Sequence, residues 1–557
     1  MFIDSPPSSA DFIVIGGGTA GLSLASRLSK SKPSLDVLVI ESGPNPTGHP
    51  FTSTPSGAFA LAGSELDWNY RSIPQKTLNN RELHLSAGKA LSGATAINYG
   101  LWLRGSAADY DRWAMIVGDD KWSYRGLLPY FKGFERHFDP EGDREQHGFD
   151  GPMQTTSVSF SDPTRKYPLR SKVQEAWKEM GVDMIKDYNC GDPLGLGEVV
   201  ENWRDGKRQP AHEVLDLSRV KILCGTTVHR VLIEEIAGLK RPTGIELSDG
   251  QTIIAKKEVI ISTGAYRTPQ LLMLSGIGPT PILNRFNIPV HISNSEVGRN
   301  IHDHLVVPLY WKLRQPELGL AVGSPGFNAP GFAKGTPFDF VAYQQTPNAI
   351  LERSLEADRG GQKSPFDPQG LLAEGRVHTE TLITYLPVAK PGLLPLDGTI
   401  ITTSVLCMQP TSRGTVTISS SDPTVPPVID CNFYSTAVDR AILRDGVRRG
   451  LALMQSTQLG ISMVESEIPL EFCLPLHHLD SSDAEIDARV RQTGEIYNHP
   501  AGTAAMGKVV DTQCRVIGLH GLRVVDASIL PMPIAAHYMA CMYAVGERVA
   551  DFILDSF

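Results

Sequence analysis

The stretch from residue 12 to residue 21, FIVIGGGTAG, constrains the fold more than any other part of this sequence. Four apolar, β-favouring residues run directly into Gly16-x-Gly18-x-x-Gly21, and apolar residues then recur at helical spacing. This order predicts a strand, a tight turn and a helix. Gly16 permits the turn, Gly18 lets the backbone approach a diphosphate, and Gly21 lets the helix pack against the strand. The N–H groups at the start of the helix would favour a bound phosphate.

A second predicted strand, 36–40, ends at Glu41, twenty residues after Gly21. An acidic side chain at this distance can accept hydrogen bonds from both hydroxyls of an adenosine ribose, and it disfavours a 2′-phosphate. The glycine motif alone could be an ordinary structural turn. Together with the strand, the helix and Glu41, it predicts a site for an ADP-containing dinucleotide, which could be NAD or FAD.

Composition narrows the class of protein. A chain of 557 residues with 41% apolar and 20% charged residues has enough material for two or more globular domains. Its net charge of −9 argues against a nucleic-acid partner. The seven cysteines are scattered and form no C-x-x-C pair, which argues against a disulfide framework or a zinc site.

Targeting features are also missing from the sequence. Residues 1–11 hold no basic or long apolar region, no apolar run reaches the length of a membrane span, and no Asn-x-Ser/Thr acceptor occurs. We therefore expect an intracellular protein, located in the cytoplasm, without a membrane span.

Residues 88–111, GKALSGATAINYGLWLRGSAADYD, form a second dense segment. Small residues dominate its first half, so the backbone there could lie against a large, flat group, while Asn98 and Arg104 add polar groups. From composition alone, the segment could equally be a tightly packed loop and helix.

Five segments in order resemble motifs of the glucose-methanol-choline (GMC) oxidoreductases, flavoproteins that oxidise alcohols. They are residues 88–111, 264–279, 297–304, 498–507 and 525–537, and the resemblance extends from residue 11 to residue 555. It implies an α/β fold, α+β overall, in which a Rossmann-type FAD-binding domain is joined to a discontinuous substrate-binding domain built on an antiparallel sheet. Within the family, Ala535-Ala536-His537 is most similar to a fungal branch that resembles aryl-alcohol oxidase.

The expected domain boundaries follow from this resemblance. The FAD-binding domain would comprise residues 1–150, 216–304 and 491–557, and the substrate-binding domain would comprise residues 151–215 and 305–490. Residues 315–370 are rich in glycine and proline, and we expect them to form surface loops over a substrate entrance. Residues 383–387 and 398–408 are predicted strands of the substrate-domain sheet.

The resemblance also implies the cofactor site. Thr19 and Ala20 would contact the diphosphate, Ser42 would join Glu41 at the ribose, and residues 98–101 would lie along the isoalloxazine ring. Trp68 and the backbone of Val228 would lie at the adenine, although both could be ordinary core residues. The full set is Gly16, Gly18, Thr19, Ala20, Gly21, Glu41, Ser42, Trp68, Gly88, Asn98, Tyr99, Gly100, Leu101, Val228, Asp526, Ala527, Tyr538 and Met539. Members with covalently attached flavin have histidine where this chain has Ile97, so we expect non-covalent FAD.

Two histidines are the expected catalytic residues. Flavin-dependent alcohol oxidation moves a hydride to the flavin, and a base must take the hydroxyl proton. Histidine suits this step because its ordinary pKa of about 6.5 leaves the neutral form abundant. By resemblance, His499 is the base and His537 hydrogen-bonds the substrate oxygen, although the roles could be exchanged. Prolines precede His537 and apolar residues follow at helical spacing, so we expect it near the start of the last helix.

A metal site is not expected. His302 and His304 flank Asp303, but no further carboxylate or cysteine stands at a suitable spacing, so this segment is interpreted as a loop that closes over FAD.

The sequence thus predicts an FAD-dependent oxidase or dehydrogenase for a small-molecule alcohol, such as an aromatic or polyketide-type intermediate of secondary metabolism. The electron acceptor could be O₂ or another molecule, and the oligomeric state is not predicted. One alternative is a non-redox cyclase, dehydratase or lyase that uses the same histidines for acid–base catalysis. Another is a ligand-binding protein with vestigial catalysis, which would not need both histidines.

Overall fold

The computed structural model describes residues 1–359, 368–389, 392–470 and 473–556. Part of the predicted loop segment 315–370 therefore lies outside the described residues. Two large sheets organise the described chain, and the helices pack against them.

The first large sheet contains the N-terminal strand of the glycine motif. Ser9–Ile15 pairs in parallel with Val37–Ile40 on one side and with Thr252–Ile261 on the other. Its last four residues and all of Val37–Ile40 are buried, as expected for parallel strands covered on both faces. The strands in spatial order are Val220–Leu223, Val37–Ile40, Ser9–Ile15, Thr252–Ile261, Leu239–Leu247 and Val228–Ile236, with Leu522–Val524 also paired to Thr252–Ile261.

The second large sheet is antiparallel throughout. Leu305–Leu313 pairs with Ile400–Cys407 over eight residues, and Val464–Ile468 covers its other edge. The strands in spatial order are Val464–Ile468, Leu305–Leu313, Ile400–Cys407, Thr379–Thr384, Phe340–Gln344 and Gly195–Glu198, with Glu495–Ile496 also paired to Leu305–Leu313.

Smaller strands and the helices surround these sheets. The shorter strands are Arg299–Ile301, Gly414–Thr417 and Val428–Asp430, and the pairs Tyr70–Arg71 with His84–Leu85, Glu135–Arg136 with Met153–Gln154, Thr156–Ser157 with Val200–Glu201, and Ile277–Gly278 with Ile292–Ser293. The α-helices are Thr19–Ser31, Ala94–Ile97, Ala107–Val117, Tyr124–Phe134, Val158–Ser161, Arg170–Glu179, Ala211–Val214, Gly264–Leu274, Thr280–Arg285, Asn348–Arg359, Pro368–Leu371, Ala437–Gln455, Gln458–Met463, Asp483–Thr493 and Met539–Leu554. Within the described ranges, none of these helices is both long and apolar enough to cross a membrane.

The parallel strands bring distant parts of the chain to one edge. Gly16, Glu41, Ser262 and Val525 each directly follow a parallel strand of the first sheet. The carboxyl ends of parallel strands share one edge, where open α/β sheets bind their ligands. Residues more than five hundred positions apart in the sequence therefore meet at one site.

The structure confirms the predicted fold class, a Rossmann-type sheet joined to an antiparallel sheet. The last helix begins at Met539, two residues after His537, as predicted. The strand expected within residues 398–408 is present as Ile400–Cys407. The five-segment division into domains stays a prediction.

Two local expectations were wrong. The strand predicted over 383–387 ends at Thr384, because the Tyr385 N–H leaves the ladder and donates to Pro337 O at 2.8 Å. Segment 315–370 is not only surface loop, since it contains the strand Phe340–Gln344. The apolar residues of this strand favour β-structure despite the surrounding glycine and proline, because the strand is buried and pairs with a neighbouring strand on each side.

Candidate active site

A cavity of about 1620 Å³ extends from the parallel-strand edge to the antiparallel sheet. Single small-molecule pockets usually measure roughly 300–1,000 Å³, so this cavity is large enough for a dinucleotide and a substrate together. Every residue predicted for the cofactor or for catalysis lines it except Gly21. The lining members of that set are Gly16, Gly18, Thr19, Ala20, Glu41, Ser42, Trp68, Gly88, Asn98, Tyr99, Gly100, Leu101, Val228, His499, Asp526, Ala527, His537, Tyr538 and Met539.

The glycine turn has the geometry that its motif requires. Gly16 has a φ of +101°, and a Cβ there would lie 2.3 Å from the carbonyl oxygen of Ser262. At Gly21, a Cβ would lie 2.5 Å from Gly16 O, so this glycine lets the helix pack on the strand. That packing role explains why Gly21 does not line the cavity.

The part of the cavity beside this turn, which we call the cofactor groove, is where the motif predicts a diphosphate. A Cβ added to Gly93 would lie 3.0 Å from the Cα of Gly18, so two glycine backbones face each other there. The helix Thr19–Ser31 has no side-chain cap at its N-terminus, which leaves first-turn N–H groups available to a ligand. Thr19 and Ala20 line the cavity at this helix end, where the positive end of the helix dipole also favours an anion.

Glu41 presents a buried carboxylate next to this groove. Its Oε2 accepts from the Gly17 N–H at 2.9 Å, and its Oε1 accepts from the Gly43 N–H at 2.7 Å. Each oxygen keeps a further lone pair, so both could accept from ribose hydroxyls. Burial raises the pKa of Glu41 to about 7. Ser42 lines the cavity beside it.

Trp68 stands at the predicted adenine end. The Arg267 guanidinium lies 4.4 Å from its ring centroid, the Lys89 ammonium lies 5.0 Å away, and the Tyr70 ring stacks on it at 5.7 Å. Val228 is buried but also reaches the cavity. Both residues combine core packing with access to the cavity, and their contact with the cofactor stays a prediction.

The middle of the cavity is formed by residues 98–101. Asn98 Oδ1 accepts from the Gly100 N–H at 3.2 Å and from Arg208 Nη1 at 2.8 Å. Its amide nitrogen therefore points the other way, where Met539 Sδ lies 3.4 Å off. The Tyr99 ring packs on Phe59 with centroids 5.0 Å apart.

The Asp526 carboxylate accepts hydrogen bonds from three neighbouring groups of the protein. Oδ2 accepts from the Gly264 N–H at 2.9 Å and from Thr268 Oγ1 at 2.6 Å, and Oδ1 accepts from the Ser528 N–H at 2.8 Å. These bonds fix the start of the helix Gly264–Leu274 to the short turn that contains Ala527. Any contact of Asp526 with the cofactor would therefore come from its backbone or from remaining lone pairs.

His499 and His537 meet at the far end of this cavity. Their ring centroids are 4.8 Å apart at an interplanar angle of 61°. The His499 N–H donates to Asp303 Oδ1 at 2.8 Å, and its ring Nδ1 lies 3.0 Å from Nδ1 of His304. Burial holds the pKa of His499 well below its ordinary value and lowers the pKa of His304 to about 3. Both rings are therefore neutral at pH 7.

His537 has a different kind of partner. Its Nε2 lies 3.0 and 3.2 Å from the two carboxylate oxygens of Glu380, which is fully buried. Glu380 belongs to the antiparallel strand Thr379–Thr384, so the second sheet supplies a residue to the catalytic end of the cavity. No local sequence pattern indicates this contact, and the motif around His304 predicts only a loop.

The remaining wall of the cavity is mainly apolar. Strand residues of the antiparallel sheet and the loops that follow it contribute Val306, Pro308, Tyr310, Phe327, Phe332, Phe338, Leu386, Val388, Leu394 and Leu396. Such a surface favours a substrate whose body is uncharged and apolar.

A second cluster lies outside this cavity. Glu135, His137 and His147 bring ligand atoms within 4.8 Å of one another, which makes them the candidate metal group among the described residues. Arg104 donates to the same Glu135 carboxylate, so a guanidinium already supplies the positive charge there. That charge disfavours a bound cation, and the expectation of no metal stays a prediction.

Comparisons with known proteins identify the family of this chain. Models of the GMC oxidoreductase family match residues 10–306 and residues 410–546. GMC-type oxidoreductase acuG of Aspergillus aculeatus is 42% identical over 547 residues, which cover 98% of this chain and 99% of that protein.

Solved structures extend the likeness to the whole fold. A variant of the formate oxidase of Aspergillus oryzae is 29% identical, with a TM-score of 0.86 and 99% of each chain covered. A fungal aryl-alcohol oxidase is 26% identical, with a TM-score of 0.82 over 99% of this chain and 100% of its own. GMC oxidoreductases are FAD-dependent flavoproteins, and FAD is accordingly the cofactor here. The chain belongs to the GMC oxidoreductase family.

Proposed function

We propose that this FAD-dependent oxidoreductase oxidises the hydroxyl group of an uncharged, largely apolar alcohol, with His499 as the base and His537 as the partner of the substrate oxygen. The observation that carries this proposal is the position of the two histidines. Both line the cavity that also contains the predicted cofactor residues and the apolar wall, and their ring centroids are 4.8 Å apart, so one substrate could touch both.

The apolar wall supports an aromatic or polyketide-type substrate of secondary metabolism. Three phenylalanines, Phe327, Phe332 and Phe338, line this part of the cavity and could pack against flat rings. The likeness to a fungal aryl-alcohol oxidase and to a fungal GMC-type oxidoreductase supports the same choice.

FAD, when bound, supplies a two-electron acceptor for the hydride of the alcohol carbon. Gly18, Gly93 and the start of the helix Thr19–Ser31 would hold its diphosphate, and Glu41 would hold its ribose. Each of these contacts would leave the histidine end free for substrate.

His499 suits the role of base because its ring is neutral. Only one hydrogen can lie between its Nδ1 and Nδ1 of His304. If His499 donates this hydrogen, its Nε2 keeps a lone pair and can accept the hydroxyl proton. In the opposite arrangement, Nε2 would carry the hydrogen and could only donate. We therefore assign the acceptor role in this pair to His304, which makes His304 a positioning residue.

His537 suits the partner role because Glu380 faces it. Nε2–H of His537 donates to the buried Glu380 carboxyl group, which fixes the ring and leaves Nδ1 as the ring atom that can face the substrate oxygen. Burial lowers the pKa of His499, which keeps the base neutral.

An anaerobic experiment tests this function. Purified holoenzyme is mixed with a panel of aromatic and aliphatic alcohols, and the visible absorbance of oxidised flavin is followed. We expect bleaching that His499→Ala slows by about 10² to 10⁴, the usual contribution of a general base. Admission of O₂ afterwards separates an oxidase from a dehydrogenase. Product without bleaching would instead support the cyclase or lyase alternative and refute hydride transfer.

A further inference from the structure

Arg208 is a buried cation that has no carboxylate partner among the described residues. The residue is 4% exposed, and its guanidinium lies 4.6 Å from the ring of Trp203. Nε donates to Thr52 O at 2.7 Å, and Nη1 donates to Asn98 Oδ1 at 2.8 Å and to Thr95 O at 3.4 Å. Nη2 is buried without a hydrogen-bond partner in the described chain.

An uncompensated buried charge is costly for a protein. Removing a charged side chain from water costs several kcal/mol unless a partner of opposite charge or a full set of hydrogen bonds offsets it. Burial accordingly lowers the pKa of Arg208 to about 9. A bound ligand that carries negative charge would offset this cost and would explain why a charged residue is buried here.

The position of Arg208 indicates which part of the bound FAD it would interact with. It lies directly behind Asn98, whose amide nitrogen approaches Met539 Sδ, and Met539 begins the helix that follows His537. Arg208 does not itself line the cavity but lies behind its middle part, next to Thr95 and Asn98. Residues 98–101 are predicted to lie along the reacting ring of FAD, so the placement of the ring near Arg208 rests on the proposed function.

We propose that Arg208 raises the reduction potential of bound FAD. Transfer of a hydride from an alcohol carbon adds two electrons and one proton to the flavin, and thus one negative charge, while the hydroxyl proton goes to His499. The buried guanidinium would stabilise this added charge across the Asn98 side chain. Its bond to Asn98 Oδ1 would also keep the amide NH₂ directed at the cavity.

A purely structural role for Arg208 makes a different prediction. In that case Arg208 would only hold Thr52, Asn98 and Trp203 together through hydrogen bonds and stacking, and its charge would have no effect on the flavin. Stability would then fall in any variant, and the potential of the flavin would stay unchanged.

The test compares holoprotein variants by reductive titration against a redox dye. Arg208→Lys keeps the positive charge and Arg208→Gln removes it. Arg523→Gln is the matched control, because Arg523 is also buried but pairs with Glu258 outside the cavity. FAD affinity of the apoproteins and thermal unfolding are measured alongside.

We expect Arg208→Gln to lower the equilibrium constant for flavin reduction by about tenfold or more, which for two electrons is about 30 mV. Arg208→Lys should keep most of the wild-type value, and Arg523→Gln should keep all of it. An unchanged potential in Arg208→Gln, or an equal loss in both Arg208 variants, would overturn the proposal.

If Arg208→Gln does not retain FAD, a second variant, Asn98→Asp, tests the proposal. Asn98→Asp leaves Arg208 in place and gives it a carboxylate partner, so the equilibrium constant should again fall; an unchanged value would overturn the proposal. The titration uses a chemical reductant and no alcohol. A wrong substrate assignment therefore leaves its result intact, which separates failure of this inference from failure of the proposed function.

Discussion

Because of Glu41, we expect the affinity for FAD to depend on pH, and the surroundings of this carboxyl group determine the direction of the change. Burial raises the pKa of this carboxyl from 4.5 to about 7 in the apoprotein. Ribose hydroxyls donate hydrogen bonds to the ionised form, so bound FAD should bring the pKa back down. Binding then releases a proton wherever the apoprotein is protonated, and affinity should increase as pH rises towards 7.

The magnitude follows from the two protonation states. With a pKa of about 7 in the apoprotein and a value below about 5 in the complex, the dissociation constant should fall about tenfold between pH 6 and pH 8. Most of that change should occur below pH 7, because the carboxyl is largely ionised above it.

The same carboxyl should destabilise the apoprotein as pH rises. A folded-state pKa above the unfolded value means that the folded chain binds more protons, so stability is highest below about pH 4 and is lost up to pH 7. A rise from 4.5 to about 7 corresponds to about 3 kcal/mol. Glu41→Gln should therefore stabilise the apoprotein at pH 8 while it weakens FAD binding.

Fluorescence titration of apoprotein with FAD at pH 6, 7 and 8 checks the binding slope, and urea unfolding of the apoprotein checks stability. Glu41→Gln is the control, because it keeps the shape and one acceptor but cannot ionise. A flat dissociation constant in the wild type, or the same slope in Glu41→Gln, would refute this reasoning.

Three further predictions concern the groove and the histidines. Gly93→Val should weaken FAD binding at least tenfold in the same titration, because its Cβ would lie 3.0 Å from the Cα of Gly18 and displace the backbone proposed to hold the diphosphate; wild-type affinity would contradict this role. His304→Leu removes the acceptor from His499 and should slow flavin reduction at all pH values, with His304→Gln slower than wild type but faster than His304→Leu; equal rates would exclude a positioning role. Glu380→Gln should slow reduction about 10- to 150-fold, because a hydrogen bond that involves a charged group contributes about 1.5–3 kcal/mol, and a rate within twofold of wild type would show that Glu380 does not act through His537.

Much of the fold could be predicted because its determinants are local. Residues 12–21 encode strand, turn and helix within ten positions, and the structure places Gly16 and Gly21 in close backbone contacts that only glycine allows. The helix that begins at Met539 follows from apolar spacing alone. The strand Phe340–Gln344 was missed because its apolar run is short and stands among glycines and prolines, whose usual loop preference is overridden by pairing on both edges.

The partners of the candidate site could not be predicted for a different reason. Glu380 lies 157 positions before His537 and Arg208 lies 110 positions after Asn98, and nothing in the spacing of either pair indicates a contact. The contact joins the antiparallel strand Thr379–Thr384 to the loop before the helix Met539–Leu554. His304 could be recognised in the sequence as part of a motif. Its role depends on the 3.0 Å distance between its Nδ1 and Nδ1 of His499, which no local pattern encodes.

These partners give the two histidines distinct chemistry. His499 faces a neutral ring and a backbone-bonded carboxyl, and burial without a charged partner keeps it unprotonated. His537 faces the buried Glu380 carboxyl group through Nε2, which fixes the orientation of its ring. We therefore propose His499, whose ring is neutral and whose Nε2 is left for the substrate, as the residue that accepts the proton of the alcohol.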